Sequence, residues 1–336
     1  MKNLTVSIII VICGTSAITS CTQDKAPQKK TYSMGKLQGR TLSGLYSRYL
    51  GTKEKTTIDK NLTIDFQKTF MDLWVHKKRR CSSPVVSLAC KQQITEYKKK
   101  QTHTSFMAYQ SHIIVVIEKL KKNINWKNLK NNLKLSQSDA DLVKKISLSF
   151  NGKDMTAYIM TELMPSSDGK LNVLMLDFLL RNAGKEYVEG IPALYDDKVS
   201  FGPYQFTEYA VFCTSSENRG ASVINQSVRK DLKIPGSVIH LRGDYHHRAA
   251  YLFAVYNITL MIKSLDEKQK KVLNQSWRKN RDDLFLYCAV AHHNPAAARR
   301  AARKWLDNYA VAPFESSCRN RIVGYAEKTR KNLAAM

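Results

Sequence analysis

The sequence predicts a mainly α protein. A small basic helical domain at 61–138 precedes a larger helical domain at 139–315, and 316–336 forms a basic C-terminal tail or helix. Three observations predict it. Phe66, Phe70 and Trp74 recur at every fourth position, which puts them on one face of a helix. The apolar stretch 112–120 (HIIVVIEKL) continues that domain between lysines, toward Trp126. Beyond Asp139 long apolar helical stretches dominate, and the two-residue alternation that marks a half-buried strand is sparse. The expected helices there cover 139–149, 153–163, 171–183, 205–212, 220–231, 246–264, 266–274, 281–292 and 295–308.

Charge comes next. Lys and Arg number 54 against 28 Asp and Glu, a formal net charge of +26. Such an excess favours polyanionic partners: nucleic acid, anionic lipid or acidic cell-wall polymer. The N-terminus chooses among them. Met1 and Lys2 precede an apolar run at 6–13 and then small residues up to Cys21, the pattern of a secretory signal over 1–20. The run is too short to span a membrane comfortably. Ile18-Thr19-Ser20-Cys21 resembles the bacterial lipobox, which implies a lipidated Cys21 as the mature N-terminus. Thr22 after it implies the outer membrane. Polar, lysine-rich 21–60 then reads as a flexible tether. The expected location is the periplasmic side of a bacterial envelope, which argues against nucleic acid as a partner. Lysines such as Lys98, Lys99, Lys100, Lys121 and Lys122 form a solvated face of the basic domain, with contact to an anionic polymer as the second reading.

Five cysteines follow Cys21: Cys81, Cys90, Cys213, Cys288 and Cys318. Cys81 and Cys90 flank a short Ser/Pro loop and are the expected disulfide in an oxidising compartment. The other three remain unassigned, and an odd count leaves one free. The absence of CxxC spacing argues against a thiol zinc or redox motif.

The segment richest in chemistry is Asp196-Asp197-Lys198-Val199-Ser200-Phe201-Gly202-Pro203-Tyr204-Gln205. Glycine lets backbone approach a ligand closely, and a Gln amide offers a donor and acceptors to sugar hydroxyls. Upstream, the apolar helix 153–163 ends on Glu162 just before Pro165. Apolar surroundings disfavour a charged carboxylate and so prepare a general acid. Glu186 and Glu189 lie nearer the Gln segment, in a more polar stretch after Gly184. Downstream, Asp244 is positioned to cap a helix that runs through His246 and His247. A further apolar helix ends in His292-His293-Asn294-Pro295.

The Ser-x-Gly-x-x-Gln core resembles the signature of lytic transglycosylases and goose-type lysozymes. His293-Asn294 stands where that family has Tyr-Asn in its Ala-Tyr-Asn-Ala-Gly motif. The order glutamate, Gln turn, capped helix and Asn-terminated helix is similar to the family across roughly 139–310. Two departures are an insertion between Glu162 and Ser200 and histidine in place of tyrosine at 293. The resemblance implies a lysozyme-like catalytic domain at 139–315. It further implies a lytic transglycosylase that cuts the peptidoglycan bond between N-acetylmuramic acid and N-acetylglucosamine with one catalytic glutamate. Glu162 is the first candidate, with Glu189 and Glu186 as alternatives. Ser200, Gly202, Tyr204, Gln205, His293 and Asn294 would bind the glycan, without metal or other cofactor. Asp196 or Asp197 would position water in the alternative, a hydrolytic muramidase. A third reading is a non-catalytic peptidoglycan-binding lipoprotein, with the basic domain contacting another protein of an envelope complex. The two His-His pairs argue for metal only weakly, because adjacent histidines on a helix diverge and no HExxH spacing exists.

Overall fold

The structure, a computed structural model, describes residues 103–336 except 165, 191, 196–197, 208–219, 235–240, 242 and 320. The signal peptide, Cys21, the tether, the helix at 66–74 and the Cys81/Cys90 pair lie outside the described residues. So do Asp196, Asp197 and Cys213.

The described chain is mainly α. Its helices are α1 (Thr104–Lys122), α2 (Trp126–Asn132), α3 (Gln137–Ser149), α4 (Gly152–Leu163), α5 (Gly169–Ala183) and α6 (Lys185–Gly190). Three short strands follow, β1 (Pro192–Tyr195), β2 (Lys198–Phe201) and β3 (Phe206–Thr207). Then come α7 (Gly220–Asn225), α8 (Asp244–Ser264), α9 (Glu267–Ser276), α10 (Arg281–His293), α11 (Pro295–Asp307) and α12 (Arg321–Ala334). The strands form one antiparallel sheet in the order β1-β2-β3, with Ala193 opposite Ser200 and Phe201 opposite Phe206.

Local chemistry sets the helix starts. Ser136, Asn151, Asp168, Asp266 and Asn294 each accept a hydrogen bond from the backbone of the first turn that follows. Asn151 with Asp154, and Asp266 with Gln269, close reciprocal capping boxes. Pro295 occupies the first turn of α11, where its missing N–H costs nothing.

Helix α4 lies at the centre, with α1 and α12 packed on it. Helix α8 packs on α1, α3 and α10. Trp305, Tyr251, Tyr256, Tyr287 and Phe285 are fully buried in this core. The expected boundary at 138/139 does not separate two cores, because Ile113, Ile117 and Leu120 of α1 lie in the same apolar cluster as α4 and α8. Nor is 316–336 a tail: α12 buries Ile322, Ala326, Thr329 and Asn332. Contact is close enough to require glycine at Gly152, where a Cβ would come within 2.5 Å of the Ile114 backbone.

Two expected helices differ. The 205–212 helix is replaced at its start by strand Phe206–Thr207, because Gln205 adopts φ 49° and the chain reverses there. The 220–231 helix stops at Asn225, whose side chain bonds both the N–H and the carbonyl of Ile234 and so competes with helix continuation. A 3-10 turn at Lys230–Leu232 follows.

Gly152→Ala should destabilise the protein by about 1–3 kcal/mol, the usual cost of overpacking. Urea unfolding of the purified chain measures it, and an unchanged midpoint would contradict the α1–α4 contact described here.

Candidate active site

The Gln segment is a tight turn between β2 and β3. The Gln205 amide N–H bonds the Gly202 carbonyl at 3.0 Å, which closes the turn. The Gln205 side chain folds onto it: Nε2 donates to the Gly202 carbonyl at 2.7 Å, and Oε1 accepts from Ser200 Oγ at 2.9 Å. This explains the Ser-x-Gly-x-x-Gln spacing as a self-bracing turn, with Gln205 held at a positive φ that non-glycine residues rarely adopt. Gly202 has φ 73°, and a Cβ there would fall 2.2 Å from the His246 ring. Only glycine fits.

Tyr204 points inward from the turn and is fully buried. Its hydroxyl lies 2.9 Å from Nδ1 of His247, on α8. The other ring nitrogen, Nε2, lies 3.2 Å from Oε1 of Glu189, on the last turn of α6. Glu189 is 6% exposed, and its carboxylate also meets Lys185 Nζ at 3.6 Å, one helical turn earlier. The His246 ring lies against the backbone of Glu189, and its Nδ1 has no partner. Around this core stands a half-exposed rim. His112 Nε2 of α1 lies 2.7 Å from Asp244 Oδ1 and 2.6 Å from Lys185 Nζ. Burial alone would raise the Asp244 carboxyl, but the His112 hydrogen bond and the charges of His112 and Lys185 outweigh it and hold it low. Burial pushes the His247 imidazole down against the opposing Glu189 hydrogen bond and charge, and pushes His246 down to about 3. Burial, reinforced by the Glu189 charge, holds the Tyr204 and Tyr109 hydroxyls protonated far above neutrality.

Glu162 sits in a different environment. It ends α4, and the Tyr325 hydroxyl of α12 donates to its Oε1. Lys328 of α12 donates to the carbonyls of Thr161 and Met164, capping the same helix end. Burial pushes the Glu162 carboxyl up to about 7, partly offset by the Tyr325 bond and the Lys328 charge. The His293 ring is exposed and stacks on Tyr325, 5.3 Å between centroids and 7° between planes.

The structure therefore divides the expected residues. Ser200, Gly202, Tyr204 and Gln205 belong with Glu189, while His293 belongs with Glu162. Tyr158 of α4 touches both groups, its ring 5.3 Å from that of Tyr204 and its hydroxyl within reach of the Glu162 charge. Glu186 is exposed. Asn294 caps α11 by accepting from the Ala297 N–H at 3.0 Å, a helix-terminus role in place of the expected glycan contact. Asp244 opens α8 as its first residue and makes no cap bond; its carboxylate goes to His112 instead. Cys288 and Cys318 are buried free thiols.

Sequence reasoning missed His112, Lys185, His247 and Tyr325. The i, i+4 pair Lys185–Glu189 and the lone polar His112 at the edge of an apolar run are the signals that were present. Among the described residues no three His, Cys, Asp or Glu side chains converge to hold a metal ion, and no helix is long and apolar enough to cross a membrane. No protein-family model matches the chain, and neither a curated protein nor a solved structure does.

Glu162 gives a stability signature. Its carboxyl binds a proton more tightly in the folded state, at about 7, than at the ordinary 4.5. Unfolding then becomes easier as pH rises from about 4.5 to 7, by on the order of 3 kcal/mol. Glu162→Gln should flatten that slope and melt higher than wild type at pH 8. Equal pH dependence of the two melting curves would show that Glu162 titrates normally.

Proposed function

We propose that the chain is a peptidoglycan lytic transglycosylase with Glu189 as its acid and then base. One juxtaposition carries the reading: a buried glutamate ends a helix immediately before a three-stranded antiparallel sheet, and the Gly-x-x-Gln turn of that sheet is bonded to it through Tyr204 and His247. The order of glutamate and then Gln turn is the one in which the sequence resembles lytic transglycosylases and goose-type lysozymes. Glu189 supersedes Glu162 as the first candidate because the Gln turn leads to Glu189.

The chemistry asks little beyond one carboxyl. Glu189 protonates the oxygen between N-acetylmuramic acid and N-acetylglucosamine as the C1–O bond breaks. It then takes the proton of the muramic acid 6-hydroxyl as that oxygen bonds to C1, which leaves a 1,6-anhydro end and a regenerated acid. His112, Lys185 and Asp244 are each about one-third exposed (side-chain values of 36%, 34% and 38%), so the buried acid has a polar approach from solvent. Residues with opposite charges stand on that rim, suited to sugar hydroxyls and acetamido groups. The basic chain as a whole suits an anionic wall.

A second reading keeps the same reaction with Glu162 as the acid, favoured by its carboxyl at about 7, the range of a working general acid. A hydrolytic muramidase is the neighbouring alternative, and a non-catalytic wall-binding lipoprotein anchored through Cys21 in the envelope is the third.

Digestion of purified sacculi with mass spectrometry of the products separates these. Anhydro-muropeptides are expected from wild type and Glu162→Gln, with Glu189→Gln reduced by about a thousandfold or more. Loss in Glu162→Gln alone moves the acid to Glu162, reducing ends indicate a hydrolase, and binding without release by wild type overturns the enzyme reading.

A further inference from the structure

Two histidines of α8 stand over one residue of α6. His247 Nε2 faces the Glu189 carboxylate at 3.2 Å, and the preceding ring, His246, lies against the Glu189 backbone. The His247 ring is wholly buried and faces Tyr109 and His112 of α1, Tyr204 of the turn, Glu189 of α6 and Asp244 of its own helix, with Lys185 of α6 standing on the far side of Glu189, 3.6 Å from its Oε1. A neutral imidazole has one donor and one acceptor nitrogen, and each neighbour's chemistry decides which is which. The Tyr204 hydroxyl must place its hydrogen somewhere inside the protein, and Nδ1 stands 2.9 Å away. If Nδ1 accepts, Nε2 carries the ring hydrogen and donates to Glu189 Oε1. The opposite tautomer would leave the tyrosine hydrogen unmet and set a nitrogen lone pair against a carboxylate oxygen.

We propose that His247 is the positioning residue of the acid. Locked as the Nε2–H tautomer by Tyr204, it makes Oε1 of Glu189 a permanent acceptor and leaves Oε2 to carry the exchangeable proton. Oε2 is the oxygen beside Gly243, 3.7 Å from where a Cβ on that glycine would stand. The Gln turn thus acts on the reaction through Tyr204: it selects which oxygen of Glu189 works. This inference rests on Glu189 as the acid, and its test is arranged to judge the two separately.

The tautomer is read directly in the full chain, labelled with 15N-histidine, from two- and three-bond couplings between ring nitrogens and carbon-bound protons. At pH 8 wild-type His247 is expected as Nε2–H, and Tyr204→Phe is expected to lose that fixed tautomer. A His247 ring found as Nδ1–H or doubly protonated overturns the proposal whether or not any glycan is cut. Sacculus cleavage then reads the consequence. His247→Gln, whose amide N–H still reaches toward Glu189, should retain activity within about tenfold. His247→Leu should lose about a hundredfold in kcat, the scale of a misplaced catalytic group, at unchanged sacculus binding. Tyr204→Phe, which keeps the ring and the packing, should fall between them and guards against a His247→Leu variant that fails to fold. Equal activity of all three with wild type overturns the positioning role. Wild type that shows the Nε2–H tautomer yet cleaves nothing would uphold the hydrogen-bond assignment and remove the enzyme reading instead.

Discussion

A carboxylate inside a protein must be met by donors or it will not stay there, and the region around Glu189 is organised by that requirement. Lys185 supplies a cation from the same helix, and His247 supplies a ring N–H from another. His112 reaches in from α1, its Nε2 within hydrogen-bond distance of both Lys185 and Asp244. Three helices and the β2–β3 turn therefore converge on one residue. The demand propagates outward into sequence: Gly202 has no room for a side chain because His246 occupies its flank, and Gln205 accepts a positive φ because its own amide closes the turn around that glycine.

Glu162 shows the contrasting solution. Its hydrogen bond comes from a neutral hydroxyl, and the nearby lysine is committed to backbone carbonyls at the end of α4. Burial holds the Glu162 proton up to about 7, with that hydroxyl and the lysine only partly offsetting it, whereas Glu189 faces a histidine ring at 3.2 Å and a lysine at 3.6 Å. Two glutamates in one domain thus sit among different partners. Tyr158 lies between them, its ring 5.3 Å from that of Tyr204 and its hydroxyl on the Glu162 side.

Much of the helical frame was legible in the sequence, because caps and apolar periods are local. The expected starts at 153, 171, 266 and 295 lie within two residues of those the structure has, at Gly152, Gly169, Glu267 and Pro295. The sheet was not legible, since its strands run to at most four residues and no alternation can develop over that length. Glu162 was legible as a carboxylate ending an apolar helix. The burial of Glu189 was not legible, because it stands in a polar stretch after Gly184 and is covered by residues of α8, far away in sequence. His112 and Tyr325 were missed because each acts across a large separation in sequence, 132 residues to Asp244 and 163 to Glu162. Asn294 carried a motif's position but serves as a helix cap.

The last helix of the described chain has a consequence for the order of events in synthesis. Helix α12 supplies the hydroxyl for Glu162, the cap for α4, Asn332 for Asn172 and Thr161, and Arg330 for Asp283 and Glu315. Until those residues leave the ribosome, α4 has an open flank and several buried polar groups lack their partners. Contacts this distant in sequence also close slowly. A nascent chain is accordingly held short of its native state until α12 has emerged and docked on α4.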